Sequence, residues 1–230
     1  MKIAVIGTGM VGRALAGRLA RLEHDVVIGT RDAKQTIART EPDAFGTPPY
    51  SEWQKENPQV RLVSFADAGA HGEIVINATQ GAVSLAALKS VGAGNLAGKV
   101  LLDVAIPLDF SEGMPPKLLF ANTDSLGEQI QRAFPEARVI KSLHTMYANV
   151  MVDPTKVGGK TNVFVGGDDP AAKATVRTLL RQFGWAEDAI IDLGGIRTAR
   201  ATEMYAPLYF TLVGALGGSW LFNISVVKAS

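Results

Sequence analysis

The sequence predicts an α/β fold: a doubly wound parallel sheet, followed by a smaller α/β portion that ends in a long apolar helix. Three observations predict it. An apolar, β-branched run, Lys2-Ile3-Ala4-Val5-Ile6, leads directly into Gly7-Thr8-Gly9-Met10-Val11-Gly12 and then into a helical stretch from Arg13 to Arg21. Further β-branched runs alternate with helix-like segments through residue 143, the rhythm of parallel strands joined by crossover helices. One of them, Glu73-Ile74-Val75-Ile76-Asn77-Ala78-Thr79, is continuously apolar over its centre, which fits a strand buried on both faces.

The opening unit carries most of the functional information. Gly7 permits a tight turn, Gly9 lets backbone N–H groups approach a pyrophosphate, and Gly12 lets the helix pack closely on the strand. The anion then sits on the helix N-terminus, where unpaired N–H groups and the helix dipole favour negative charge. This is the Rossmann dinucleotide-binding arrangement. The second strand, Asp25 to Gly29, ends at Thr30-Arg31, roughly 20 residues past the glycines, where such folds place the side chain that reads the ribose. A carboxylate there bonds the 2′-OH of NAD; a hydroxyl and a guanidinium, with Lys34 one turn on, suit the 2′-phosphate of NADP. Asp32 is the counter-signal, one residue too late for that role. The alternative reading of Thr30-Arg31-Asp32 is a solvated helix cap.

Residues 33–39 read as a short helix. Residues 41–58 carry Pro42, Pro48, Pro49 and Pro58 and read as irregular, with Tyr50 and Trp53 as packing anchors. A third strand is expected at 60–63 and a turn or helix at 66–70. After the strand at 73–79, the segment Asn77-Ala78-Thr79 opens at the carboxyl edge of the sheet, where ligands bind in open α/β folds. A helix at 82–91 and a break at Gly92 and Gly94 precede a strand at 99–104, whose loop Ala105-Ile106-Pro107 aims at the same crevice. Asp124 and Ser125 can cap a helix at 126–134 that Pro135 ends, and a sixth strand spans 138–143.

The boundary between the NADP-binding domain (1–143) and the C-terminal portion (144–230) falls where this rhythm changes. A strand at 161–165 and a helix from Asp169-Pro170 to Phe183, stopped by Gly184, come first. A strand at 189–193, the pair Gly194-Gly195, a long helix over 196–216 and a short strand complete the chain. Met204, Leu208, Leu212 and Ala215 share one face of that helix, with Tyr205 and Tyr209 beside them, a stripe read as core. No charge occurs from Met204 to Val227. Pro207, Gly217-Gly218, Ser219, Asn223 and Ser225 interrupt this stretch, which favours a buried or subunit-interface helix over a membrane span.

Composition narrows the function. The 230 residues have 47% apolar content and a formal charge of +1, without a basic or acidic block that would suit nucleic acid or an anionic membrane. There are no cysteines and three histidines without ligand spacing, so disulfides, thiolate chemistry and a metal site are not expected. No signal peptide is read at the start, which makes the cytoplasm the expected compartment. The helix at 196–216 is apolar on most of its circumference and predicts a homodimer through that helix. His144 and Tyr147, just past the sixth strand, are the candidate proton donors should the acceptor be a small carbonyl or imine. The alternative for His144 is support or packing, and the rivals from other classes are a non-catalytic NADP-sensing module and a reductase attached to a membrane through the uncharged stretch. His24 and His71 lie at amino ends of strands and read as structural.

The glycine turn, Gly29-Thr30-Arg31, Asn77-Ala78-Thr79, Lys141 to Thr145, Asp192-Leu193-Gly194, Ala199-Arg200 and Glu203 together resemble the NADPH-dependent reductases of the deazaflavin coenzyme F420, over nearly the whole chain. The likeness extends to the reductase domain of the six-transmembrane metalloreductases. It implies a Rossmann domain that binds NADP, a C-terminal portion that completes the acceptor pocket, and hydride passage between nicotinamide C4 and deazaflavin C5. It further implies that Thr8, Met10, Val11, Thr30 and Arg31 hold the phosphates and that Ala78, Thr79 and Ala105 approach the nicotinamide. Where that family commonly has asparagine after the fifth and sixth strands, this chain has Ile106 and His144.

Overall fold

The computed structural model describes residues 1–43 and 46–229, so Ala44 and Phe45, within the stretch expected to be irregular, lie outside the described residues. β1 (Lys2–Ile6) runs into α1 (Met10–Arg21), and β2 (Asp25–Thr30) into α2 (Ala33–Ala38). Then follow α3 (Tyr50–Glu56), β3 (Arg61–Ser64), α4 (Phe65–His71), β4 (Ile74–Asn77), α5 (Gly81–Val91) and the single turn α6 (Ala93–Leu96). β5 (Val100–Asp103) gives way to a hairpin of β6 (Leu108–Asp109) and β7 (Lys117–Leu118), then α7 (Leu126–Ala133) and β8 (Arg138–Ser142). The remainder comprises α8 (Ala148–Val152), β9 (Val163–Gly167), α9 (Pro170–Phe183), β10 (Ile190–Asp192), α10 (Ala199–Glu203) and α11 (Ala206–Ala215).

Eight strands form one sheet in the order β10-β9-β8-β5-β4-β1-β2-β3. The six from β3 to β8 are parallel, and the chain moves outward from β1 in one direction and then returns to go the other way past β4. The switch between β1 and β4 opens a crevice beyond their carboxyl ends. β9 lies antiparallel to β8 and β10 parallel to β9, so the segments after residue 143 extend this sheet.

Period-two alternation divides the core. Ile3, Val5, Ile28, Ile76 and Leu102 face one side, packed by α1, α8 and α9. Ala4, Ile6, Val27, Val75 and Leu101 face the other, packed by α4, α5 and α7. These helices end as their sequences direct. Asp169 caps α9 by accepting from the Ala172 N–H at 2.8 Å, and Gly184, with φ +106°, closes it in the left-handed conformation.

Three expectations are corrected. The segment 41–58 is not irregular throughout: Pro49 stands at the cap of α3, and the proline-free run behind it forms a helix before Pro58. The long helix over 196–216 is three pieces, a 3-10 turn at Ile196–Thr198, then α10 and α11. Pro207 explains the interruption after Glu203, because it has no N–H for the Glu203 carbonyl and its ring would crowd that carbonyl in a continuous helix. Among the described residues the tail beyond it forms no strand; it is held at residue 162, where Asn162 N–H donates to the Ile224 carbonyl at 2.8 Å and Val226 N–H donates to Asn162 Oδ1 at 2.8 Å. Among the described residues no helix is long and apolar enough to cross a membrane.

Candidate active site

Gly7 has φ +122°, and a Cβ on it would lie 2.6 Å from the Ala78 carbonyl oxygen, so the turn after β1 is pressed against the end of β4. A Cβ on Gly12 would lie 2.1 Å from the Gly7 carbonyl oxygen. Gly9 differs: nothing lies within 4 Å of where its Cβ would be, and it stands at the start of α1 with no side chain to cap the first-turn amides. A cleft of about 350 Å³ opens there, lined by Gly7, Thr8 and Gly9. An open cradle above the uncapped end of a helix fits a pyrophosphate. Met10, Val11 and Gly12 do not line the cleft; they form the helix start, with Val11 packed into the core and Gly12 buried.

The far end of the cleft is lined by Thr30 and Arg31. Asp32 lines it as well, but its Oδ1 accepts from the Gln35 N–H at 2.9 Å and caps α2. That bond engages the carboxylate that would otherwise argue for NAD. Lys34 is exposed on α2 and is not part of the lining. Two arginines that the sequence reading passed over are: Arg13 and Arg39. Arg13 Nε donates to the Thr8 carbonyl at 2.7 Å, its Nη1 donates to the Pro48 carbonyl, and the guanidinium lies 5.4 Å from the centre of the Tyr50 ring. It thereby joins the glycine turn to the opposite wall. Tyr50 packs against Trp53 as an anchor yet also borders the cleft, and burial pushes its hydroxyl well above the usual range. The signal in the sequence was Arg13 directly after the last glycine, one residue from the expected phosphates.

Ala78 and Thr79 continue the lining along the carboxyl edge. Asn77 is fully buried and faces inward: its Nδ2 donates to Asp103 Oδ1 at 2.8 Å and to Ser84 Oγ at 3.1 Å, while its Oδ1 accepts from Thr79 Oγ1 at 2.7 Å. It supports the loop and presents no polar atom to the cleft. Ala105, Ile106 and Pro107 lie beyond the cleft, beside β4, where Val104 N–H donates to the Asn77 carbonyl at 3.1 Å. A Cβ on Gly81 would stand 2.1 Å from the Ile106 carbonyl oxygen, so the start of α5 presses on this loop.

Past β8 the chain turns sharply. Leu143 has φ +67°, and His144 N–H donates to the Ser142 carbonyl at 2.9 Å across it, a strained three-residue turn. The turn buries His144 to 3% exposure, and neither ring nitrogen makes a well-formed hydrogen bond. Burial first, and then the Lys141 charge, hold its pKa well below the usual histidine range, against a smaller opposing pull from the Ser142 and Thr202 backbone. Tyr147 is half-buried and packs against Trp220, with ring centres 5.9 Å apart. Tyr209 donates to the Trp220 carbonyl at 2.9 Å and stacks on Phe222 at 4.6 Å, so α11 and the tail build an aromatic wall beside Tyr147. His24 and His71 are remote, paired with Gln182 and Asp25 at the amino ends of the strands.

Residues 2–107 match the family described as NADP oxidoreductase, coenzyme F420-dependent. A crystal structure from Arthrobacter sp. FB24, provisionally named an F420-dependent NADP reductase, is 57% identical, with 99% of this chain and 100% of that one covered and a TM-score of 0.94. This chain belongs to the coenzyme F420-dependent NADP oxidoreductase family. The F420-dependent NADP reductase of Methanocaldococcus jannaschii is 27% identical over 214 residues, 92% of each chain. Rat metalloreductase STEAP3 is 26% identical over 202 residues, which is 88% of this chain and 36% of that protein.

The chain is accordingly an NADP-dependent oxidoreductase, and the cleft is its candidate site. The two ends of the cleft differ in character. One is polar, bordered by the glycine turn and by the guanidinium groups of Arg13, Arg31 and Arg39; the other runs along the small residues Ala78 and Thr79 at the end of β4.

Proposed function

We propose that this protein exchanges hydride between NADP and the deazaflavin coenzyme F420. The observation that carries the choice of acceptor is the placement of His144, buried behind a sharp turn, with neither ring nitrogen in a well-formed hydrogen bond and outside the lining of the cleft. A buried imidazole kept neutral is poorly suited to protonate an alkoxide or an amine, which reduction of a small carbonyl or imine requires. Hydride exchange between two heterocycles needs stacking geometry and exclusion of water instead.

In this reading Gly7, Thr8 and Gly9 receive the pyrophosphate, and Thr30 and Arg31, joined by Arg39, receive the 2′-phosphate, with Lys34 adding charge from outside. Ala78, Thr79, Ala105, Ile106 and Pro107 wall the nicotinamide, the ring that carries the hydride. His144 packs behind this edge, and Tyr147 with Trp220 and Tyr209 shields the acceptor side from water. The 1–143 portion binds the cofactor, 144–230 completes the acceptor pocket, and the working form is a cytoplasmic homodimer. The test is to follow the loss of oxidised F420 absorbance on adding NADPH, against NADH and against a panel of small carbonyls and imines. NADPH-specific bleaching of F420 supports the reading. Turnover of carbonyls or imines, with F420 left oxidised, would overturn it.

A further inference from the structure

We propose that Lys141 is a positioning residue for the nicotinamide end of the site, holding from inside the protein both backbone segments that wall it. The inference rests on the proposed placement of the nicotinamide beyond β4 and β5.

Lys141 lies in β8 and its side chain is 1% exposed. Its ammonium donates to Asp103 Oδ2 at 2.8 Å, pairs with Glu203 Oε1 at 2.9 Å, and donates to the Ala105 carbonyl. Three donors meet three acceptors, so the group has no spare proton for a ligand. The second Asp103 oxygen accepts from Asn77 Nδ2 at 2.8 Å and from the Ala105 N–H at 3.2 Å. Asn77 Oδ1 in turn accepts from the Thr79 hydroxyl at 2.7 Å and the Thr79 N–H at 3.3 Å. One ammonium therefore fixes the Ala105 backbone directly, and the Thr79 backbone through two intermediates.

Stability does not require such a cluster, since a well-packed apolar group is often as stabilising as a buried ion pair. An apolar side chain could not orient the Ala105 carbonyl or hold Asp103 toward Asn77. The cluster contains one cation and two carboxylates, and the excess negative charge is met at the start of α7, where Leu126 and Gly127 N–H groups donate to Glu203 at 2.8 and 3.1 Å. Burial opposes the Lys141 charge, but Asp103 and Glu203 outweigh it and its pKa is raised. Because Glu203 ends α10, the same ammonium ties the cofactor edge to the segment that leads into the aromatic wall.

The test uses the full chain with Lys141→Met and Glu203→Gln combined, which leaves Asp103 as the one charge in the cluster and keeps its net value. Three quantities are read: NADPH affinity, the single-turnover rate of F420 reduction, and amide hydrogen exchange over residues 77–80 and 104–107 with NADPH bound. NADPH affinity should stay within about threefold, since the phosphate contacts are untouched, while hydride transfer falls by about 10- to 100-fold, the scale of an ångström misplacement. Exchange should quicken in both segments. A rate within about threefold of wild type, or unchanged exchange, would overturn the proposal. If the double variant does not fold, Asn77→Ala removes the bonds to Thr79, Ser84 and Asp103 while leaving the Lys141 ammonium on Asp103 and the Ala105 carbonyl; exchange should then quicken at 78–79 and stay unchanged at 104–107, and quickening at 104–107 or none at 78–79 overturns the proposal equally. Should wild-type protein bind NADPH yet leave F420 oxidised, the proposed acceptor falls while the exchange data still decide on Lys141.

Discussion

A Cβ on Gly12 would stand 2.1 Å from the carbonyl oxygen of Gly7, whereas a Cβ on Gly9 would meet nothing within 4 Å. Two glycines of one motif therefore differ in surroundings, one pressed into the packing of α1 on the turn and the other facing open space at the start of α1.

Gly9→Val should keep the fold, because its backbone is extended and the added atoms project into open space, but it should lose NADPH binding. Gly12→Ala should lower stability by about 1–3 kcal/mol, the usual cost of forcing atoms into a packed site. Thermal melts and NADPH titrations of both variants check this. A folded Gly9→Val protein with wild-type affinity would remove the pyrophosphate from the cradle.

Arg31 and Arg39 border the end of the cleft where Asp32 is engaged as a cap. Arg31→Ala should weaken NADPH binding by about 1.5–3 kcal/mol, the range for hydrogen bonds to charged groups, and should change NADH binding far less. Arg39→Ala should act in the same direction. Calorimetry with each cofactor decides, and equal losses for NADPH and NADH would refute a 2′-phosphate site here.

Local signals explain which parts were legible in the sequence. The glycine turn, the β-branched runs and the caps at Asp32, Ser125 and Asp169 each depend on neighbours a few residues away, so spacing alone placed β1 to β5, β8 and the starts of α1, α2, α5, α7 and α9, but not the β6–β7 hairpin or the short helices α3, α6 and α8. The continuous helix over 196–216 was misread because its apolar pattern masked the effect of Pro207 on the Glu203 carbonyl. Arg13 reaching Pro48, and Lys141 reaching Asp103 and Glu203, join residues 35 to 62 positions apart, and periodicity carries no trace of such pairs. Its place just past a strand end makes His144 a candidate proton donor, with support or packing as the alternative. The positive φ of Leu143, which turns the chain inward there, has no signature in a leucine.

The buried state of His144 has a consequence for stability. Its folded pKa lies below the unfolded value of about 6.5, so the unfolded chain binds the extra proton as pH falls, and stability drops below that pH while rising toward neutrality. His144→Asn removes this group. Denaturant unfolding of wild type should weaken between about pH 7 and pH 5, and the variant should show a flatter dependence over that window. Hydride transfer to F420 at neutral pH should stay within about threefold of wild type, since a neutral buried imidazole donates no proton. A fall of two orders of magnitude would restore His144 as an acid, the usual scale of that contribution.

The last prediction concerns assembly. Of the stripe expected to be core, Tyr209 is buried, but Met204 is 40% exposed and Leu208 is 55% exposed; Ala206 and Val213, outside the stripe, turn inward, and Leu216 just beyond the helix is 51% exposed. Phe110, near the β6–β7 hairpin, lies edge-on to Phe210 at 6.4 Å, and Met114 and Leu119 add exposed apolar surface in that hairpin region. Burying a leucine fully is worth about 1.5–3 kcal/mol, and a two-fold contact uses each residue twice, so a few such side chains suffice to favour a second copy at micromolar concentration. Wild-type protein should sediment as a dimer. Leu208→Glu should sediment as a monomer with its thermal unfolding of the single chain little changed, because more than half of that residue is exposed on its own protomer. A wild-type monomer at micromolar concentration would rule out this face as the interface, and a dimer that survives Leu208→Glu would place the contact elsewhere.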